Sequence, residues 1–187
     1  MTGATHRILG MVAGLGTAIV LDWPPLQAGA AMVVALLFSA GPLSPDLDQH
    51  RGWRLTDRVL PDEALGNGGP LQHRGITHWW GLPAAVAATL PLVPPAAGWV
   101  LLSALAGWCS HLVGDFVFGR ADRFCGRGPG IPTAPWWGHV GVGLDTGGKT
   151  ESFTRALVLP AVAVWQGLVV IRVDGAVLEF LRRVVGG

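Results

Sequence analysis

Residues 98–118 read GWVLLSALAGWCSHLVGDFVF, and this stretch decides the class of fold. Its length is close to the roughly 20 residues that an α-helix needs to cross the hydrocarbon core of a bilayer. Asp115, near its end, is the one acidic or basic residue in it apart from His111. A run of this length and polarity predicts a membrane-spanning helix rather than a helix in a soluble core.

Four other stretches of the chain are similarly apolar, at residues 7–22, 27–44, 79–93 and 154–171. Charged residues form only 13% of the chain, against about 25% in soluble proteins, and the mean hydropathy is +0.46. The third stretch is short and carries Pro83, so we expect it to tilt or to insert only partly. The sequence therefore predicts an all-α, polytopic bundle of four to five apolar helices in a single membrane-embedded domain, residues 1–187.

The first apolar stretch begins after Arg7 and lacks a small-residue cleavage site, so we expect a retained helix rather than a signal peptide. Its glycines, Gly10, Gly14 and Gly16, predict close packing against another helix, because backbones in lipid approach most closely where side chains are small. The net charge of +1 gives no basic field for nucleic acid, and no nucleic-acid partner is predicted. The sequence also lacks a phosphate-binding loop with Gly-Lys-Ser/Thr and a Gly-x-Ser-x-Gly nucleophile elbow.

The connections between the apolar stretches alternate in charge. Residues 22–25 and 93–97 contain no Lys or Arg, whereas 45–78 and 119–153 contain four each. The positive-inside rule places the two basic segments in the cytoplasm, as two long loops of an inner-membrane protein. The tail, 172–187, either follows the fifth helix outward or forms an interfacial amphipathic helix.

His111 and Asp115 are four residues apart in the fourth stretch. On a helix this spacing places both side chains on one face, one turn apart, so that both can reach one ion. Ionisable residues at the end of an apolar helix are costly unless they are paired, and they commonly mark a functional site. The alternative is a hydrogen bond between the two side chains that packs helices together.

Asp46 and Asp48 follow the second stretch in Pro45-Asp46-Leu47-Asp48. If this turn is extended, alternate residues face one side, and two carboxylates so placed can bind one ion or bridge two. The alternative is a helix cap or a solvated turn.

His73 and His78 flank Arg74, Gly75 and Thr77 just before the third stretch. Gly75 allows a bend and Thr77 is a natural N-cap, so the two imidazoles are predicted to converge. Arg74 has the fork geometry to bind a phosphate, or it meets anionic lipid.

Three more histidines complete the set. His6 opens the first helix on the same side of the membrane and is predicted as a further ligand. His50, in the first basic loop, is expected to be solvated. His139, in the second basic loop, is expected to lie near an entrance.

These motifs, in the order Thr5-His6, Pro45-Asp46-Leu47-Asp48, His73-Arg74-Gly75-Ile76-Thr77-His78 and Ser110-His111 with Asp115, resemble the YdjM-like family of inner-membrane, metal-dependent hydrolases. The resemblance covers about residues 1–135. That family is distantly similar to zinc-dependent phospholipase C and S1/P1 nucleases, which have a His-x-x-x-Asp pair, and this similarity implies phosphoester hydrolysis.

The residues and the resemblance together predict a membrane-bound, metal-dependent hydrolase. Zinc is the divalent metal that they favour, and a phosphoester, which could be a lipid or lipid-linked phosphate, is the predicted substrate. The predicted metal ligands are His6, Asp46, Asp48, His73, His78, His111 and Asp115. Asp48 is a ligand or a base, and Arg74 binds the anion. The alternative function is a non-catalytic membrane scaffold or regulatory protein with a structural metal.

Overall fold

A computed structural model of the chain describes residues 2–48, 74–119, 130–134 and 137–171. The described part is mostly helical. Its helices are α1 Gly3–Val20, α2 Pro25–Ala40, α3 Gly81–Ala87, α4 Pro95–Phe118 and α5 Lys149–Val170. Short 3-10 turns lie at Pro45–Asp48, Ile76–His78 and Leu90–Leu92. Within α5, one π-helical turn, Thr154–Val158, separates two α-helical parts.

The bundle has two distinct ends. At one, which we call the far end, the Trp23 ring after α1 lies 6.4 Å from the Trp99 ring near the start of α4. At the other, which we call the site end, His111 of α4 bonds to the Ser39 carbonyl of α2. Helices α1, α2 and α4 pack against one another, and α5 packs along α1. The chain therefore enters α1 and leaves α2 and α4 at the site end.

Three described helices, α1, α4 and α5, are long and apolar enough to cross a membrane. Helix α5 is the least covered by protein: Val164 and Trp165 are 64% and 61% exposed, and Leu157 and Leu168 are also exposed. Large apolar side chains in such a continuous exposed face are stable only against lipid or another apolar surface. The burial pattern thus supports the prediction of a membrane protein.

The third apolar stretch is short, as the sequence predicted. It forms α3 and then the 3-10 turn Leu90–Leu92. A helix over Gly81–Leu92 extends roughly 18 Å at 1.5 Å per residue, against a hydrocarbon core of about 30 Å. It nevertheless returns the chain from His78 at the site end to Pro95 at the far end, where α4 begins.

Glycines produce the close approach of α1, α2 and α4. A Cβ at Gly10 would lie 2.5 Å from the Cβ of Ser39, and one at Gly14 would lie 2.7 Å from the carbonyl oxygen of Ala31. A Cβ at Gly107 of α4 would overlap the carbonyl oxygen of Ala35. The predicted tight packing through Gly10 and Gly14 is confirmed, and Gly107 extends it to α4.

A β-hairpin in the second basic loop was not predicted. Strands β1 (Ile131–Ala134) and β2 (Trp137–Val140) pair antiparallel. After β2, the backbone N–H groups of Val142 and Leu144 donate to the carbonyls of Phe116 and Val117. The last carbonyls of a helix have no partner within the helix, so this segment satisfies the end of α4. The tail predicted as an interfacial helix, 172–187, lies outside the described residues.

Replacing Gly107 with Ala should destabilise the bundle, because the added methyl group overlaps the backbone of α2. Overpacking of this kind costs about 1–3 kcal/mol. The matched control is Gly98→Ala in the same helix, where a Cβ has no atom within 4 Å and helix propensity favours Ala by about 1 kcal/mol. Thermal unfolding in detergent should give a lower midpoint for Gly107→Ala and an unchanged or higher one for Gly98→Ala. Equal midpoints for both variants would contradict the packing described.

Candidate metal centre

Five of the predicted ligands meet at the site end of the bundle. They come from four separate parts of the chain: α1, the 3-10 turn after α2, the 3-10 turn before α3, and the last two turns of α4. These residues are His6, Asp46, His78, His111 and Asp115. Because residues so distant in sequence converge, the fold itself assembles the cluster.

Two carboxylate oxygens lie close to the same pair of imidazole nitrogens. The Nε2 atoms of His78 and His111 are 3.3 Å apart. Each lies 3.6 Å from Oδ1 of Asp46 and 3.5 Å from Oδ2 of Asp115. Two ligands of a tetrahedral zinc ion with bonds of about 2.0–2.1 Å are separated by roughly 3.3 Å. The spacing therefore fits a divalent ion of this size.

His6 extends the cluster through the second oxygen of Asp115. Its Nε2 lies 3.2 Å from Oδ1 of Asp115, while Oδ2 faces His78 and His111. The His6 ring stacks on the His111 ring with centroids 3.8 Å apart. Its Nδ1 is buried without a hydrogen-bond partner among the described residues. His6, His111 and Asp115 thus form a second group of atoms close enough to hold a metal.

Ser39 orients His111, and the sequence analysis did not identify it. The Nδ1 of His111 donates to the Ser39 carbonyl at 2.6 Å, which leaves Nε2 with the lone pair that a metal ligand needs. The Ser39 hydroxyl donates in turn to the carbonyl of His6 at 2.8 Å. A Ser at the end of an otherwise apolar stretch was the available signal.

Glu151, in the first turn of α5, anchors the start of α1, and it too was missed. Its Oε1 accepts hydrogen bonds from the backbone N–H of Thr2 and from the hydroxyls of Thr2 and Thr5, at 2.6–2.7 Å. Its Oε2 accepts one from the N–H of Gly147 at 2.6 Å. Since Thr5 precedes His6, this buried carboxylate fixes the turn that presents His6 to the cluster.

Asp46 forms the accessible edge of the centre. Its side chain is 20% exposed, whereas those of His78 and His111 are fully buried and that of Asp115 is 4% exposed. Burial raises the pKa of the Asp46 carboxyl, but His111 and His78 outweigh this effect and hold the pKa well below its usual range. Asp46 is therefore ionised, as a ligand must be, and it is the most exposed of these four side chains.

Arg74 lies beside Asp115. Its Nε is 4.0 Å from Oδ2 of Asp115, and the residue is 8% exposed. Its backbone has φ of +57°, a left-handed conformation that is uncommon for residues other than glycine. Such conformations persist where the surrounding structure requires them, often at functional sites. The conformation places a guanidinium group beside the carboxylate of the centre.

Two details of local structure differ from the sequence predictions. Pro45–Asp48 is a 3-10 turn, not an extended one, so the argument that alternate residues share a face does not apply to Asp46 and Asp48. Thr77 does not cap a helix: it lies within Ile76–His78, and its hydroxyl is 3.1 Å from Nδ1 of His78. Pro45 fixes φ at the start of the first turn, and the conformationally permissive Gly75 precedes the second.

Several predicted residues are not part of the described cluster. His73 and His50 lie outside the described residues, as does the side chain of Asp48. Their proposed roles stay predictions. His139 lies on β2, opposite Pro132, and belongs to neither group of possible metal ligands.

The purified protein should contain about one to two divalent ions per chain, as expected for clustered His and Asp ligands. His111→Ala should lose most of this metal, because His111 belongs to both groups of ligand atoms. His139→Ala is the matched control and should keep it. Elemental analysis of the three proteins tests this, and near-zero metal in all three, or equal metal in wild type and His111→Ala, would refute the centre.

The family model described as YdjM inner membrane protein matches residues 1–173, a longer region than the residues 1–135 over which the motifs indicated a resemblance. No curated protein and no solved structure matches the chain. The similarity to phospholipase C and S1/P1 nucleases therefore stays a hypothesis. Because the match covers most of the sequence and includes every residue of the centre, the chain belongs to the YdjM inner membrane protein family.

Proposed function

We propose that this protein is a membrane-bound, metal-dependent hydrolase of phosphoesters. The observation that carries the proposal is a pair of imidazole nitrogens 3.3 Å apart, each within 3.5–3.6 Å of an oxygen of Asp46 and an oxygen of Asp115, at one end of an apolar bundle. Burying carboxylates and imidazoles together without a cation carries a large cost in free energy. Hydrolysis is the chemistry most often served by such ligand sets in which one edge stays accessible.

Asp46, His78, His111 and Asp115 would hold the ion, with His6 beside them. Imidazole and carboxylate ligands suit zinc, and manganese is the next candidate. When bound, such an ion lowers the pKa of water and stabilises negative charge on a phosphoester oxygen. The residues themselves prepare the site: Ser39 fixes the tautomer of His111, and burial excludes bulk water from His78 and Asp115.

Arg74 supports a phosphoester as the substrate. A guanidinium group forms bidentate hydrogen bonds to phosphate oxygens, and Arg74 lies within 4.0 Å of a carboxylate of the centre. In this proposal the substrate enters past Asp46, and Arg74 binds its anionic group. Asp48, two residues from Asp46, acts as a further ligand or as the general base.

A structural metal is the second candidate, and the burial of the ligands favours it. His78, His111 and Asp115 are nearly inaccessible, and four protein ligands would complete a tetrahedral ion. A centre of this kind would stabilise a scaffold without catalysing a reaction. The two candidates differ in whether the metal-loaded protein turns over a substrate.

Reconstituted protein loaded with zinc, manganese or magnesium should hydrolyse a phosphomonoester, phosphodiester or phospholipid. A chelator should abolish the activity, and Arg74→Lys should reduce kcat/KM by about tenfold, the factor that corresponds to roughly 1.4 kcal/mol of lost bidentate binding. Arg7→Lys, at an exposed arginine of α1, is the control and should have no effect. Folded, metal-loaded protein that turns over no member of the panel would favour the structural alternative.

We further propose that the chain crosses the inner membrane several times with the centre on the cytoplasmic face. The support is the charge of the loops: the two arginine-rich segments, 45–78 and 119–153, adjoin the site end, whereas 22–25 and 93–97, at the far end, contain no Lys or Arg.

Single cysteines test this orientation in a background with Cys109 and Cys125 replaced by Ser. An impermeant thiol reagent added outside intact cells should label a cysteine at position 96 and should not label one at position 60 or 128. After lysis all three should react, which controls for accessibility. Labelling of positions 60 and 128 from outside would reverse the proposed orientation.

A further inference from the structure

An apolar cavity of about 160 Å³ lies between α2, α3 and α4. Phe38 of α2, Leu82 and Val86 of α3, and Leu101, Leu105 and Trp108 of α4 are among its lining residues. Every lining side chain is apolar or aromatic, and most are only half-buried. The cavity therefore opens at the surface of the bundle, on the side where α3 covers it only in part.

Helix α4 carries lining residues of the cavity and ligands of the metal centre on the same face. On α4, Leu101, Trp108, His111 and Asp115 are spaced by seven, three and four residues, so they lie along one face of the helix. The apolar part of this stripe lines the cavity, and the polar part supplies the centre. From Leu101 to His111 the stripe extends roughly 15 Å at 1.5 Å per residue.

The other two walls make the same connection. Phe38 of α2 directly precedes Ser39, whose carbonyl accepts the hydrogen bond from His111. Leu82 of α3 follows His78 by four residues, and the indole N–H of Trp108 donates to the carbonyl of Thr77 at 3.0 Å. Each wall of the cavity thus lies within four residues along the chain of a residue that belongs to the metal centre or orients one of its ligands.

This arrangement selects the chemistry of the occupant. An apolar cavity of this size excludes water and binds apolar molecules; about 150 Å³ suffices for benzene. A hydrocarbon segment of several methylene groups therefore fits. The cavity opens on a bundle whose exposed surface is apolar, and membrane lipids supply such chains together with a phosphate group. Arg74 is the cationic group at the other end of the path.

We propose that the substrate is a membrane lipid phosphoester whose hydrocarbon chain lies in this cavity while its phosphate group lies at the metal centre beside Arg74. The identity of the substrate rests on the proposed function, but binding of the chain does not. The inference explains why the apolar cavity and the polar cluster share one face of α4.

Photo-crosslinking tests chain binding without catalysis. The probe is a phosphatidic acid with a diazirine midway along one acyl chain, added below stoichiometry to the full-length protein in detergent, with and without metal. Mass spectrometry should locate most cross-links at Leu82, Val86, Leu101 and Leu105. Lipid-facing Val164 and Leu157, which are 64% and 59% exposed, report non-specific labelling and should give a lower yield. A yield at the cavity residues no higher than at these two positions overturns the inference.

Variants that fill the cavity provide a second test of chain binding. Ala104 also lines the cavity and is 7% exposed, so Ala104→Phe should reduce cross-linking at Leu101 and Leu105 by about tenfold. Val86→Trp, at the half-buried wall of α3, replaces it if Ala104→Phe does not fold, as judged by metal content. Val164→Phe, on the lipid-facing surface, is the matched control and should leave the yield unchanged. Undiminished cross-linking in a folded, cavity-filled variant overturns the inference.

The two proposals fail separately. Specific cross-linking in the cavity, in protein that hydrolyses no phosphoester, supports the chain site and contradicts the proposed function. Hydrolysis of soluble and long-chain phosphoesters with equal kcat/KM, without cross-linking in the cavity, supports the hydrolase and contradicts the chain site.

Discussion

The carboxylate of Asp115 lies near the end of an apolar helix, almost inaccessible to water, and three histidines surround it at 3.2–3.5 Å. A buried carboxylate without partners would cost several kcal/mol, so the fold must bring histidines to it. Helix α1 supplies His6, the turn before α3 supplies His78, and α4 itself supplies His111. This convergence depends on the close glycine contacts between α1, α2 and α4 and on the hydrogen bonds by which Glu151 anchors α1.

The same geometry connects structure with chemistry. Each ligand belongs to a helix or turn that also packs within the bundle. Ser39 links α2 to both His111 and His6. Asp46 is the one partly exposed member of the centre among the described ligands. In the proposal made above, the apolar cavity would hold a hydrocarbon chain and Arg74 an anionic group.

Much of this arrangement was predictable from sequence. Apolar length identified the helices, and the i, i+4 spacing of His111 and Asp115 identified the core of the centre, because both signals are local. The roles of Ser39 and Glu151 were not predictable, since they depend on which backbone carbonyl and which hydroxyl groups face them in the assembled bundle. The β-hairpin was missed because its strands are short and one of them contains Pro132. The segment that follows the hairpin donates hydrogen bonds to the last carbonyl groups of α4. The turn at Asp46 was assigned the wrong backbone conformation for a similar reason: nothing within four residues distinguishes a 3-10 turn from an extended one.

The central claim is that imidazole and carboxylate groups of this chain bind one metal ion together, and X-ray absorption at the zinc edge of the zinc-loaded protein measures this most directly. The account predicts a first shell of nitrogen and oxygen at about 2.0–2.1 Å, with the outer-shell scattering of two imidazole rings from His78 and His111. A shell containing sulfur, or one of oxygen alone without imidazole scattering, would contradict it.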